Sequence, residues 1–98
     1  MKITTNRNGA KYEIALEGRL DTTTAPELEK ALRDGLADMN TLTIDLDQLE
    51  YISSAGLRVL LSIHKTLSEK GGLKLTRVNE MVKEVFDVTG FTDILDIE

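Results

Sequence analysis

The chain has 98 residues, 41% apolar and 30% charged, the balance of one globular domain with its own core. It has no cysteine and a single histidine, which excludes disulfides, thiolate metal sites, a cysteine nucleophile and a histidine metal cluster. The net charge of −5 and the small aromatic content of two tyrosines and two phenylalanines argue against a binder that tracks a nucleic-acid backbone or stacks its bases. No apolar run approaches the roughly 20 residues of a membrane span, and no basic-then-apolar leader opens the chain. A cytoplasmic protein with no nucleic-acid or membrane partner is therefore expected.

Lys2–Asn6 reads as a short strand, and Asn8-Gly9 is a strong hairpin signal because both residues tolerate positive φ. Beyond it Tyr12, Ile14 and Leu16 alternate with Lys11, Glu13 and Glu17, the period of a strand with one buried face. Thr24-Ala25-Pro26-Glu27 fits a capping box, with Pro26 in the first turn where its missing N–H is harmless. Leu28, Ala31, Leu32, Leu36 and Met39 then follow at helical spacing, up to a stop at Asn40. Leu42, Ile44 and Leu46 form another alternating strand. A long helix runs from Ser54 to about Lys70, with Leu57, Leu60, Leu61, His64 and Leu67 on one face and Gly71-Gly72 ending it. Leu73 and Leu75 begin a strand reaching Val78. Asn79 caps a third helix carrying Val82, Val85 and Phe86 and stopped by Gly90, and Phe91–Ile97 is either a helical turn or a small edge strand.

The order β-β-α-β-α-β-α predicts an α/β fold in which strands joined through helices become parallel neighbours. Its sheet is mixed and four- to five-stranded, opening on an antiparallel hairpin. Strands buried on both faces would be continuously apolar. These alternate, so the helices should pack mainly on one face.

The junction Tyr51-Ile52-Ser53-Ser54-Ala55-Gly56-Leu57-Arg58 carries the most chemistry. Ser53 or Ser54 supplies the N-cap, because a hydroxyl there satisfies an otherwise free N–H. Gly56 is a poor helix former whose bare backbone permits a close approach. The free N–H groups and dipole of a helix start favour anions. A phosphate on either serine would be stabilised in place while adding about −1.5 to −2 charges. Arg58, one turn after Ser54, is spaced to face it. On spacing alone, the plain alternative is that the serines are only caps.

Gly18-Arg19-Leu20-Asp21 with Thr24-Ala25, the strand Leu42–Ile52, the loop Ser53-Ser54-Ala55-Gly56-Leu57, and Asn79 through Gly90-Phe91 together resemble the STAS domain of bacterial anti-sigma factor antagonists over essentially the whole chain. The resemblance implies a single STAS domain over residues 1–98. It implies a regulator whose unphosphorylated form binds an anti-sigma factor that is also a serine kinase, and thereby frees a sigma factor. Phosphorylation of Ser54 would end the binding, and a metal-dependent serine phosphatase would restore it. Ser54 falls on the phosphoacceptor, with Ser53 as second choice. Asp21, Thr22, Thr24, Ser53, Ser54, Ala55, Gly56, Leu57 and Arg58 form the implied partner surface. Ser53 replaces the family's usual aspartate and Ala55 its second hydroxyl residue. These departures keep open a non-switching STAS module of a signalling assembly or transport complex.

Other chemistry has less behind it. His64 lies on the apolar stripe, as a half-buried side chain would. No phosphate-cradling glycine motif occurs. Asp45, Asp47 and Glu50 could gather a divalent ion but lack the central glycine of a calcium loop, and a solvated sheet face explains them. Thr22-Thr23-Thr24 reads as a polar loop and cap. A phosphoaspartate receiver needs more βα units than 98 residues hold. The expectation is thus a monomeric protein without catalytic residues, metal or cofactor, acting through protein partners.

Overall fold

The computed structural model describes residues 1–33 and 35–98. Strands β1 (Lys2–Asn8) and β2 (Lys11–Leu20) form the opening antiparallel hairpin. Asn8 pairs with Lys11, so the two-residue loop is Gly9-Ala10, one position later than expected. Only Gly9 there takes positive φ, at 63°. Glycine in the first central position satisfies the turn alone, which leaves Asn8 free to pair.

β2 is long enough to serve two partners. Its first half pairs in parallel with β3 (Thr41–Asp45), and its second half pairs in parallel with β4 (Leu49–Ile52), with a register shift between Gly18 and Arg19 inside that pairing. The expected single central strand is therefore broken at Leu46–Gln48. Asp45 Oδ1 accepts the Asp47 N–H at 2.9 Å, the turn that aspartate favours. Asn79 Nδ2 then holds the carbonyls of Leu46, Asp47 and Leu49, at 3.2, 3.4 and 2.7 Å. β5 (Gly72–Thr76) pairs with β3, and the two-residue β6 (Asp96–Ile97) pairs with β5, both in parallel. The sheet order is β1-β2-β3-β5-β6 with β4 on β2. Six strands replace the four to five expected, because of this break and the small edge strand. The tail supplies both alternatives foreseen for it: a 3-10 turn over Phe91–Asp93, then β6.

α1 covers Ala25–Arg33 and stops well short of Asn40; Asp34, inside the expected helix, lies outside the described residues. A Cβ on Gly35 would stand 3.3 Å from Tyr12 Cε2 and from Met39 Cε, so the chain closes tightly over Tyr12 there. Leu36 and Met39 keep helical spacing because a separate turn, with Met39 N–H on the Gly35 carbonyl at 3.1 Å, puts them against the core. α2 spans Ser54–Leu67 and α3 spans Glu80–Thr89, the latter capped by Asn79 Oδ1 on Val82 N–H at 3.0 Å and closed by Gly90 at φ 80°.

The alternation holds in every central strand. Tyr12, Ile14, Leu16, Leu42, Ile44, Leu73 and Leu75 are buried beneath the helices, whereas Glu13, Thr43 and Lys74 face outward, exposed or half-buried. α1 packs on α2, α2 on β4 and β5, and α3 on β4. Burial of each Leu, Ile or Phe contributes about 1.5–3 kcal/mol. Among the described residues no helix is long and apolar enough to cross a membrane.

Candidate functional site

β2, β4 and β5 run parallel, and each leads directly into a helix, so the N-termini of α1, α2 and α3 gather at one edge of the sheet. Ser53 follows β4 and caps α2: its backbone is extended, and Oγ accepts the Gly56 N–H at 3.5 Å. Its own N–H donates to the Leu20 carbonyl at 2.9 Å, tying the start of α2 to the end of β2. Ser54 is the first helical residue and is exposed. Among the described residues its hydroxyl has no hydrogen-bond partner. The two serines therefore differ in kind, one structural and one free.

Gly56 is buried. A Cβ there would lie 2.7 Å from Leu20 Cγ, 2.9 Å from Ile52 Cγ1 and 3.0 Å from the Leu20 carbonyl oxygen. The close approach anticipated at this glycine is made by the domain's own strands. Leu57, at 6% exposure, also points into the core, so Gly56 and Leu57 shape the surface from beneath. Ala55 is half-buried and Arg58 exposed. Both line a groove of about 330 Å³ between α1 and α2, with Thr22, Pro26, Glu29 and Ser62.

The turn before α1 is built differently from a capping box. Thr24 Oγ1 accepts the Asp21 N–H at 2.8 Å and donates to the Arg19 carbonyl at 2.7 Å, so it is turned away from the helix. Asp21 caps instead, its Oδ1 accepting the N–H groups of Thr23 and Thr24 at 3.0 and 3.1 Å. The Thr24 N–H, above all, holds the Asp21 carboxyl below its ordinary pKa; partial burial opposes this, and Thr23, the Thr24 hydroxyl and Arg19 add to it. Thr22 is exposed at the tip.

Two residues of this edge escaped the sequence reasoning. The Arg19 guanidinium lies over the Tyr51 ring at 4.4 Å from its centroid and 3.5 Å from Asp21 Oδ2. β2–β4 register places Arg19 opposite Tyr51. Alternation alone sets Arg19 on the face of Asp21 and Tyr51 on that of Ser53, but only the pairing brings the two faces together. The acidic trio forms no ion cage. Arg77, held at φ 52°, bridges Asp45 at 3.3 Å and Asp47 at 3.0 Å, while Glu50 stands exposed on β4. His64 is half-buried beside the stripe it was expected on.

The family model described as STAS domain matches residues 2–98. This chain belongs to the STAS family. It is 34% identical over 99 residues to a Bordetella bronchiseptica protein, BtrV, named as a candidate anti-sigma factor antagonist, covering 99% of this chain and 85% of that one. It is 31% identical to the anti-sigma-B factor antagonist of Bacillus subtilis, over 99% of this chain and 90% of the relative. The anti-sigma factor antagonist SpoIIAA, solved unphosphorylated, superposes with a TM-score of 0.84 at 17% identity over 99% of this chain and 88% of SpoIIAA. Its phosphorylated form superposes at 0.77 and 16%, over 99% and 91%. At that identity the likeness establishes the fold. STAS domains of the antagonist kind are regulatory proteins rather than enzymes.

Proposed function

We propose that this STAS domain is an anti-sigma factor antagonist controlled by phosphorylation of Ser54. Unphosphorylated, it binds an anti-sigma factor with serine-kinase activity and frees the sigma factor held there. Transfer of a phosphate to Ser54 ends the binding, and a metal-dependent serine phosphatase reverses it. The observation that carries this reading is the division between the serines: Ser53 holds the cap, leaving the Ser54 hydroxyl exposed and unengaged on the first turn of α2. Asp21, Thr22, Thr24, Ala55 and Arg58 make up the surrounding contact surface, and Gly56 and Leu57 fix its shape from below.

The physics needs no change of fold. A dianion at a helix N-terminus meets free N–H groups and the favourable end of the dipole. The same dianion pressed against a partner's carboxylates or apolar surface loses its hydration without compensation. A loss of about 3–4 kcal/mol lowers affinity by two to three orders of magnitude, within the range of one uncompensated charge at an interface.

The test is incubation with ATP and the serine-kinase anti-sigma factor of the same genome, followed by intact mass. One added phosphate that disappears in Ser54→Ala supports the reading. A phosphate that persists in Ser54→Ala but disappears in Ser53→Ala moves the site. Ser54→Asp binding that kinase as tightly as wild type overturns the switch. Absence of any phosphate favours the second reading, a constitutive STAS interaction module, for which the departures at Ser53 and Ala55 speak.

A further inference from the structure

Three of the four large apolar side chains exposed among the described residues lie on or beside α3: Val88 at 81%, Met81 at 63% and Ile94 at 48%. Met81, Val85 and Val88 stand at i, i+4 and i+7, which draws one apolar stripe along the outside of the helix. Val85, half-buried, joins that stripe to the core side formed by Val82 and Phe86. Ile94 follows the 3-10 turn that packs against α3. A surface helix needs only its inner face apolar, so this outer stripe is left unexplained by folding.

The charges beside it are mostly acidic, with the exposed Lys83 on the far side of the row from the stripe. Glu80, Glu84 and Asp87 are exposed at i, i+4 and i+7, one row alongside the stripe. Among the described residues none of the three pairs with a lysine or arginine. Like charges at these spacings repel one another. Glu80 sits in the first turn, where the dipole favours an anion, and Asp87 in the last turn accepts the Thr92 hydroxyl, whereas Glu84 at mid-helix has no such support. The groove of about 520 Å³ at the N-terminal end of α3, lined by Met81, continues the same sign with Glu17 and Glu50, its Asp47 being paired with Arg77. The row leaves an exposed negative edge beside the apolar stripe, complementary to basic groups of a partner.

We propose that the outer face of α3 is a docking surface for a basic amphipathic helix of a partner protein. Its apolar residues cover Met81, Val85 and Val88, and its lysines or arginines lie along Glu80, Glu84 and Asp87. The charge also selects against other occupants. A second copy of this chain would set carboxylates against carboxylates, and an anionic lipid surface would be repelled. The stripe runs along the outside of α3 and includes none of the residues assigned to the Ser54 surface, so the proposal stands whether or not the phosphorylation reading holds.

The test uses the full chain, labelled with nitrogen-15, and a synthetic helical peptide of about 18 residues with a leucine stripe flanked by lysines. Shift changes should concentrate at Met81, Glu84, Val85 and Val88. Affinity should fall about tenfold as salt rises from about 50 to about 500 mM, where the screening length drops below about 5 Å. Val88→Ser should weaken binding about fivefold, and the double substitution Glu84→Lys with Asp87→Lys more. Ser54→Asp should bind the peptide as wild type does. Shift changes on the sheet face around Asp45, equal binding of a peptide with glutamates for lysines, an unchanged affinity in Val88→Ser, or loss of binding in Ser54→Asp would each overturn the proposal. Val88 is almost wholly exposed, so its variant is expected to fold, and the melting curve verifies that it does.

Discussion

Gly56→Ala sets helix propensity against packing at the position where the start of α2 is anchored. Alanine is the better helix former by about 0.8–1 kcal/mol, so on propensity alone the variant gains stability. The added methyl would meet Leu20 Cγ at 2.7 Å, Ile52 Cγ1 at 2.9 Å and the Leu20 carbonyl oxygen at 3.0 Å. The two side chains can shift, but the carbonyl belongs to β2 and also accepts the Ser53 N–H, so the helix start must move away from the sheet. Overpacking of this kind costs about 1–3 kcal/mol, and contact with a strand's backbone puts it at the upper end. The net expectation is a loss of about 1–2 kcal/mol, a fall in Tm of roughly 5–15 °C for a domain of this size. Thermal unfolding followed by circular dichroism measures it, with Ser62→Ala, exposed on the same helix, as the propensity control that should melt slightly higher. Gly56→Ala melting at or above wild type would mean that α2 is not wedged against β2 and β4.

Three further outcomes follow from the same geometry. Asn79→Ala removes both the α3 cap and the donor that holds three carbonyls of the β3–β4 break; urea unfolding should show a loss of about 2–4 kcal/mol. Asn79→Asp keeps the cap but not the donor and should fall between that variant and wild type. The Asp21 carboxyl is held below its ordinary pKa by the N–H groups it caps, so its contribution is full above the unfolded carboxylate pKa, near 4, and is lost as pH falls through the lower folded value. Melting temperature between about pH 5 and pH 2 should therefore fall less steeply in Asp21→Asn than in wild type, and parallel slopes would refute the assignment. Ser54→Asp should leave the melting temperature unchanged or slightly raised, because an anion in the first helical turn is favoured by about 0.3–1 kcal/mol; a marked fall would show that the site cannot carry charge.

Most of the fold was legible because its periods are clean. One-faced alternation at Tyr12–Leu16 and Leu42–Leu46 and the helical spacing of Leu57–Leu67 each describe a surface buried on one side, and those faces are buried, although in α2 the burial centres on Leu57, Val59, Leu60, Ile63 and Leu67 and leaves Leu61 and His64 half-buried. The misreadings fall where local and long-range rules compete. Asn8-Gly9 carries the stronger dipeptide signal, yet pairing shifts the turn to Gly9-Ala10. Leu36 and Met39 keep helical spacing across a helix that has already ended, because contact with Tyr12 rather than propensity sets the path at Gly35. The β3–β4 break depends on Asn79, more than 30 residues away, and leaves no local sign beyond Asp45 and Asp47. At the site, the serines and Arg58 stood out from the helix start and its spacing, and Asp21 only from the family resemblance. Arg19 over Tyr51 was not, since it exists only once β2 and β4 are in register.

Adjacent serines at a helix start look interchangeable in sequence, and the backbone makes them unequal. Ser53 lies in extended conformation just after β4, hydrogen-bonded to Leu20 through its N–H and to Gly56 through its Oγ. Any modification of Ser53 perturbs a cap worth about 0.5–2 kcal/mol and the joint between β2 and α2. Ser54 contributes a backbone already in the helical region and a hydroxyl that supports nothing else, so charge can be added or removed there at little expense to folding. A regulated surface needs this arrangement, in which the group that changes is not the group that holds the loop. Gly56 enforces it from below: the absence of a side chain lets α2 sit against Leu20, which keeps Ser53 in the cap and turns Ser54 outward.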